Sequence, residues 1–403
     1  MPKFLTLDDI DMRGRRVLLR ADLNVPVKDG RVTDATRIER LVPTIEALLG
    51  KGAAVVVMSH FGRPNGKPDP TLSLRPLVAP LRQALGGREV AFATDCVGEP
   101  ARRVAGALRP GQVALLENLR FHPGEEANSP DFAKALAELG DVYVDDAFSA
   151  AHRAHASIAA LAHLLPAAAG KSMEAELEAL AAALEHPARP VMALIGGAKV
   201  STKLDLLRFI VGKVDVLAIG GAMANTMLYA QGIAVGRSLC EREMAENARH
   251  ILGLAAECRC RVILPEDAVI AAELRSGAAA RTVAIDRVAE DRMILDIGPA
   301  TAARIGAALD EARTLVWNGP LGAFETPPFD HGTAAVAQKV AELTRAGRLR
   351  SVAGGGDTVA ALAAAGVTDD LSYVSTAGGA FLEWLEGREL PGVAALAAAA
   401  RQD

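Results

Sequence analysis

The sequence predicts an α/β protein of two lobes, each a doubly wound parallel sheet covered by helices, joined by a helical hinge. Three observations predict it. Short apolar runs alternate with longer stretches of helical period along the whole chain, the pattern of βαβ units. The runs are continuously apolar rather than alternating, as strands covered on both faces must be. The polar and glycine-rich clusters fall where these runs end, and they are of one kind before residue 170 and another after it.

Taken in order, the strand-like runs of the first half are 17–19, 54–58, 113–116 and 142–144. Those of the second half are 191–195, 216–219, 262–264, 314–317, 351–353 and 373–374. Between the halves Met173, Leu177, Leu180 and Leu184 recur at spacings of four, three and four, and Pro187 follows. That is an amphipathic helix with a stop signal, long enough to join two sheets. The expected division is therefore 1–170 and 171–389, with the interdomain helix at 171–186 opening the second lobe. Ala169-Gly170-Lys171-Ser172 fails as a phosphate loop, because Leu165 stands where that pattern needs glycine. The Ala-rich stretch 395–400 is material of high helix propensity.

Composition narrows the function. With 403 residues, half of them hydrophobic and 23% charged, the chain can form two cored domains. A net charge of −5 argues against a general nucleic-acid binder, whose binding face is basic. Four cysteines make no disulfide framework, and Cys258-Arg259-Cys260 has too short a spacing for a zinc knuckle. No apolar run reaches the ~20 residues of a membrane span, and the N-terminal segment lacks the apolar stretch of a signal peptide. The expectation is a cytoplasmic protein without nucleic-acid or membrane partners.

In open parallel sheets ligands bind beyond the carboxyl ends of the strands. In the first half these positions carry Arg20-Ala21-Asp22-Leu23-Asn24, Ser59-His60-Phe61-Gly62-Arg63, Glu117-Asn118-Leu119-Arg120 and Ala151-His152-Arg153, with Arg37 at the head of a helix-like stretch. Guanidinium forks of this kind suit a small phosphate or carboxylate compound. In the second half they carry Gly196-Gly197-Ala198-Lys199, Gly220-Gly221, Trp317-Asn318-Gly319-Pro320 and Gly354-Gly355-Gly356-Asp357-Thr358. Bare backbone amides with lysines suit a polyphosphate. Lys199 and Lys203 are expected four apart on one face of a helix, a strained pair that a polyphosphate would relieve. Asp357 is expected at a helix start, as a cap or a Mg²⁺ ligand, while the local sequence fits Glu325 equally as an acceptor of ribose hydroxyls or as a surface residue. Two anionic ligands on two lobes describe a phosphotransferase. A dehydrogenase would need G-x-G-x-x-G after a strand, and none is present.

These residues, in this order, resemble the phosphoglycerate kinase family from the first strand to the C-terminus. The run from Val17 to Pro26, Ser59-His60-Phe61-Gly62-Arg63-Pro64, Leu116-Glu117-Asn118-Leu119-Arg120-Phe121, the Ala151-His152-Arg153 stretch, Trp317-Asn318-Gly319-Pro320, the GGGDT run and Ser375-Thr376 carry the likeness. The resemblance implies two Rossmann-like lobes in a monomer that closes about a hinge, with the tail 390–403 packed back on the first. It implies reversible phosphoryl transfer between ATP and 3-phosphoglycerate, giving ADP and 1,3-bisphosphoglycerate, with Mg²⁺. Asp22, Asn24, Arg37, His60, Phe61, Gly62, Arg63, Arg120 and Arg153 would hold the phosphoglycerate, and Arg37 and Lys199 would be catalytic. Gly197, Lys203, Gly220, Gly221, Gly298, Asn318, Glu325, Gly355, Gly356, Asp357 and Thr358 would bind nucleotide, Asp357 also the metal. The chain departs from the family pattern at Ser149-Ala150, Ala222 and Ala377, three places where glycine or Gly-Thr is usual.

Overall fold

The computed structural model describes residues 3–28 and 30–401. Residues 1, 2, 29, 402 and 403 lie outside them, so the N-terminal segment is described only from residue 3 and the expected tail only to Arg401. Contacts divide the chain into two compact units, residues 1–177 with 389–403 and residues 178–388. The division falls inside the helix Lys171–Leu184, after Leu177, and not at residue 170 where the helix pattern begins.

The first unit is built on six parallel strands in the order Val90–Phe92, Val113–Leu115, Ala54–Met58, Arg16–Arg20, Val142–Asp145 and Ala167–Ala169. The first strand in sequence, Arg16–Arg20, lies in the middle, and the chain winds outward from it in both directions. Ala54–Met58 is buried along its whole length, as a strand covered on both faces requires. The core joins Val17, Leu19, Val55, Val57 and Val144 to Ile38, Leu41, Ile45 and Leu48 of the helix Thr36–Gly50. Those helix positions recur at three and four, which puts them on one face. The C-terminal helix Pro391–Ala399 belongs to this unit and packs on the segment 156–163 and the strand Ala167–Ala169.

The second unit repeats the plan. Its parallel order is Arg261–Ile263, Val216–Ile219, Val191–Ile195, Thr314–Asn318, Arg350–Gly354 and Tyr373–Ser375. A three-stranded antiparallel sheet, Arg281–Ala284, Asp267–Ala271 and Met293–Ile297, is added to it. Trp317 is the largest fully buried side chain and anchors this core beside Leu315 and Val336.

The sequence patterns miss five of these strands. Val90–Phe92 and Ala167–Ala169 have three residues each, and alanine carries little strand signal. The antiparallel sheet is half-exposed and polar at several positions, so it does not read as a continuous apolar run. The Ala169-Gly170-Lys171-Ser172 turn is filled by protein rather than by phosphate. The Asp146 carboxylate accepts from the amides of Ser172 at 2.8 Å and Met173 at 3.0 Å and from the Thr44 hydroxyl at 2.6 Å.

Candidate functional site

In the first unit a lattice of hydrogen bonds ties the strand ends together. Asn24 Oδ1 accepts from the amide of Gly62 at 3.0 Å, and its carbonyl accepts from Arg37 at 2.8 Å. Asp22 receives Arg37 at 3.1 Å and the hydroxyl of Ser149 at 2.6 Å. The Ser59 hydroxyl donates to the carbonyl of Ala21 and accepts from the amide of Leu23. The buried Asn118 amide group donates to the carbonyls of Phe61 and Leu72, and its oxygen accepts from the amides of Phe61 and Arg120. These bonds join loop to loop, tie a loop to the head of the helix Thr36–Gly50, or hold a loop in the turn that presents its cation.

Arg20, grouped with the cations of the strand ends by its position, is fully buried and does not face a ligand. Its guanidinium donates to the Ser157 hydroxyl, the carbonyl of Ala21 and His60 Nδ1 at 3.1 Å. An arginine has only donors, so His60 Nδ1 must accept and the ring carries its proton on Nε2. Burial, then the fields of Arg20, Arg120 and Arg153, holds the His60 pKa well below 6.5. The imidazole is therefore neutral. His155 is lowered to about 4 for the same kinds of reason, burial first.

Arg120 is nearly buried, donates to the carbonyl of Gly62 at 2.7 Å and pairs with Glu126 at 3.3 Å. Burial lowers its pKa to about 10, with Arg153 the next cause. Arg153 is half-buried against His152, and Arg63 is exposed. Among them Glu125 is fully buried and held by the amide and hydroxyl of Ser157 at 2.9 and 2.5 Å, and burial raises its pKa. Sequence reasoning missed Glu125. It stands in the short helix Pro123–Glu126, a polar stretch in which nothing in the local pattern marks it as interior.

In the second unit the glycine-rich strand ends surround a cavity of about 370 Å³. Gly197, Gly221, Glu325 and Asp357 line it, together with apolar walls from Leu239, Met293, Pro320 and Phe324. Such a cleft offers a flat group apolar faces and a few polar ends. Gly221 has φ +65°, and a Cβ there would stand 2.7 Å from the carbonyl oxygen of Gly197. Gly355, at φ +97°, turns the chain into the helix Gly356–Ala364, whose first turn carries Asp357. The four first-turn amides of that helix have no partner within it.

Several expectations are corrected here. Lys199 and Lys203 do not share a helical face, because residues 201–203 form a 3₁₀ turn and the α-helix begins at Leu204. Lys203 turns inward and donates to the carbonyls of Gly196 at 2.6 Å and Asn318 at 3.1 Å, while Lys199 is exposed. Burial lowers the Lys203 pKa to about 8, against the pull of Asp357. The start of the 3₁₀ turn is taken by the Glu241 carboxylate, which accepts from the amide and hydroxyl of Ser201. Gly298 is absent from the cavity wall; it precedes the helix Pro299–Glu311, whose first amides bond the Asp267 carboxylate. Gly220 packs beneath Leu321, also off the wall.

Asn318 and Thr358 are buried and brace the loops. The Asn318 amide group donates to the carbonyl of Gly354, and the Thr358 hydroxyl accepts from the amide of Gly319. Ala222 and Ala377 are not among the residues of positive φ, so their methyl groups meet no backbone strain. Ser149 is hydrogen-bonded to Asp22. The wall residues Leu239 and Met293 were not anticipated, since an apolar side chain facing a ligand looks in sequence like one facing a core.

The sequence model of the phosphoglycerate kinase family matches residues 7–388. A phosphoglycerate kinase of Methylorubrum extorquens is 63% identical over 399 residues, covering 99% of this chain and 100% of that protein. One from Rhodospirillum centenum is 62% identical over 395 residues, covering 98% and 100%. The solved structure of phosphoglycerate kinase from Coxiella burnetii is 43% identical with a TM-score of 0.91, over 98% of this chain and 99% of that one. That from Pyrococcus horikoshii OT3 is 30% identical with a TM-score of 0.79, over 99% and 100%. Matched along nearly its whole length, the chain belongs to the phosphoglycerate kinase family.

Proposed function

We propose that the chain carries out its family's reaction, the reversible transfer of a phosphoryl group between ATP and the carboxylate of 3-phosphoglycerate. The observation that carries this reading is the pair of unlike anion sites at the carboxyl ends of two parallel sheets, cationic forks in one unit and glycine-rich turns in the other. In our reading Asp22, Asn24, His60, Arg63, Arg120 and Arg153 hold 3-phosphoglycerate, with the Phe61-Gly62 turn shaping the site. The neutral His60 ring presents Nε2–H as a donor. Gly197, Gly221 and the apolar walls take the base, Glu325 the ribose, and Gly355, Gly356 and Asp357 the phosphates. Gly220, Asn318 and Thr358 serve by bracing these turns.

In the forward direction a carboxylate oxygen forms a bond to the γ-phosphorus as the bond to the β–γ bridging oxygen breaks, and ADP takes that electron pair. The attacking oxygen is already an anion, so no general base is needed. What remains is in-line positioning and neutralisation of charge on the transferring group. Arg37, held by Asp22 and Asn24, and the exposed Lys199 are assigned that work. Asp357 fits a Mg²⁺ that arrives with nucleotide, being a hard oxygen donor on the cavity wall. Such an ion supplies charge neutralisation on phosphate oxygens.

The reading includes a monomer working in the cytoplasm, in glycolysis or gluconeogenesis, without nucleic-acid or membrane partners. No helix among the described residues is long and apolar enough to cross a membrane. The first prediction tests the reaction. Folded protein with ATP, Mg²⁺ and 3-phosphoglycerate, coupled through glyceraldehyde-phosphate dehydrogenase, should consume NADH, and no consumption would refute the proposal.

A further inference from the structure

Besides the residues assigned to phosphoglycerate, the first unit holds a second group of donors. Asp95, Cys96 and His122 bring one carboxylate oxygen, one thiol sulfur and one imidazole nitrogen to within 4.8 Å of one another, and no other such group of three occurs among the described residues. Two segments far apart in sequence supply them, the turn after the strand Val90–Phe92 and the turn entering the short helix Pro123–Glu126. Hydrogen bonds and a ring contact position the carboxylate and the imidazole. Asp95 Oδ1 accepts from the amide of Cys96 at 2.7 Å and from His122 Nε2 at 2.7 Å. The His122 ring is stacked on Phe132, with centroids 5.3 Å apart.

We propose that Asp95, Cys96 and His122 form a binding site for a thiophilic divalent cation of the zinc class. The donor set decides the class. One sulfur, one imidazole nitrogen and one carboxylate oxygen suit a borderline-soft ion, whereas Mg²⁺ and Ca²⁺ take oxygen. Zinc bond lengths of about 2.0–2.3 Å put tetrahedral ligand atoms roughly 3.3–3.6 Å apart. The 2.7 Å contact must open and the wider ones close by on the order of 1 Å, which side-chain rotation supplies.

Entry is open on one side. Asp95 and His122 line a cavity of about 740 Å³, which gives an ion a path and room for a water as fourth ligand. Asp69 and Glu117 add negative charge to its wall and Arg75 a positive charge, and none of the residues assigned to phosphoglycerate lines it. Cys96 is fully buried behind this wall. Binding forms the metal–sulfur bond as the thiol proton leaves to solvent. His122 binds through the nitrogen that now bonds Asp95.

Cadmium reports the sulfur directly, through ultraviolet charge-transfer absorption. The full chain carrying Cys258→Ser, which removes the exposed thiol, should bind one Cd²⁺ with that absorption. Adding Cys96→Ser should abolish it. His122→Ala, a change at a half-buried side chain, should weaken binding by more than about tenfold, since losing even an outer-shell partner costs 10–100-fold; it serves as the test should Cys96→Ser fail to fold. Zinc should displace the cadmium. Absence of the band, or a band and affinity unchanged in these variants, overturns the proposal.

Discussion

At the scale of single residues, the two lysines of the glycine loop separate by environment. Lys203 is half-buried and donates to two carbonyls, whereas Lys199 is exposed. In the proposed reaction the charge of Lys199 matters most as the phosphoryl group loosens from its donor, so Lys199→Ala should act on turnover. We expect kcat to fall by on the order of 10²–10³, the usual cost of removing one transition-state donor. Lys203→Ala should raise the nucleotide KM and also lower stability by roughly 1–3 kcal/mol, because two carbonyls lose their donor. Steady-state kinetics and melting curves of both variants check this, and equal KM effects with kcat preserved would overturn the assignment. Residue identity at the strand ends was legible because the sites need arginine, histidine, lysine and glycine there. Direction was not. Nothing in the string distinguishes Arg20, buried against His60, from the exposed Arg63, and nothing shows that Glu125 is interior.

Elements show the same division between pattern and partner. Ten strand runs and the helix ending before Pro187 follow from apolar periodicity, which depends only on neighbours in sequence. What covers an element's end depends on tertiary placement, as the helix Lys171–Leu184 illustrates. Its first amides are met by Asp146, a carboxylate from the end of another strand. Burial pushes the Asp146 carboxyl up to about 7, although the bonds from Thr44, Met173 and Ser172 pull it down. The folded state thus holds this proton more tightly than the unfolded chain, whose aspartate titrates near 3.8. Its contribution is complete at acid pH and is lost as pH rises toward 7. Asp146→Asn keeps an acceptor oxygen without the charge. The variant's stability should therefore gain on the parent's by a few kcal/mol between about pH 4 and about pH 8. Denaturant titrations across that range test it, and parallel curves would mean that the carboxyl is ionised throughout.

At the scale of the whole molecule, the two units have separate cores. Each unit carries its own sheet, and the strand-end sites of each belong to that unit alone. Transfer under the proposed function needs reacting atoms about 3–3.5 Å apart along one line. Units fixed that close would bar substrate entry; units fixed apart would leave water between donor and acceptor. Turnover therefore requires a closing motion, on the microsecond-to-millisecond scale usual for such steps. The helix Lys171–Leu184 is the candidate lever, since the division of the chain falls within it. Each ligand is assigned to one unit, so the two together should favour closure more than the sum of each. Small-angle scattering of the protein alone, with 3-phosphoglycerate, with Mg²⁺ and a non-hydrolysable ATP analogue, and with both should show the largest fall in radius of gyration in the last state. An equal radius in all four states, with both ligands shown to be bound, would rule out closure and leave the proposed transfer without a path.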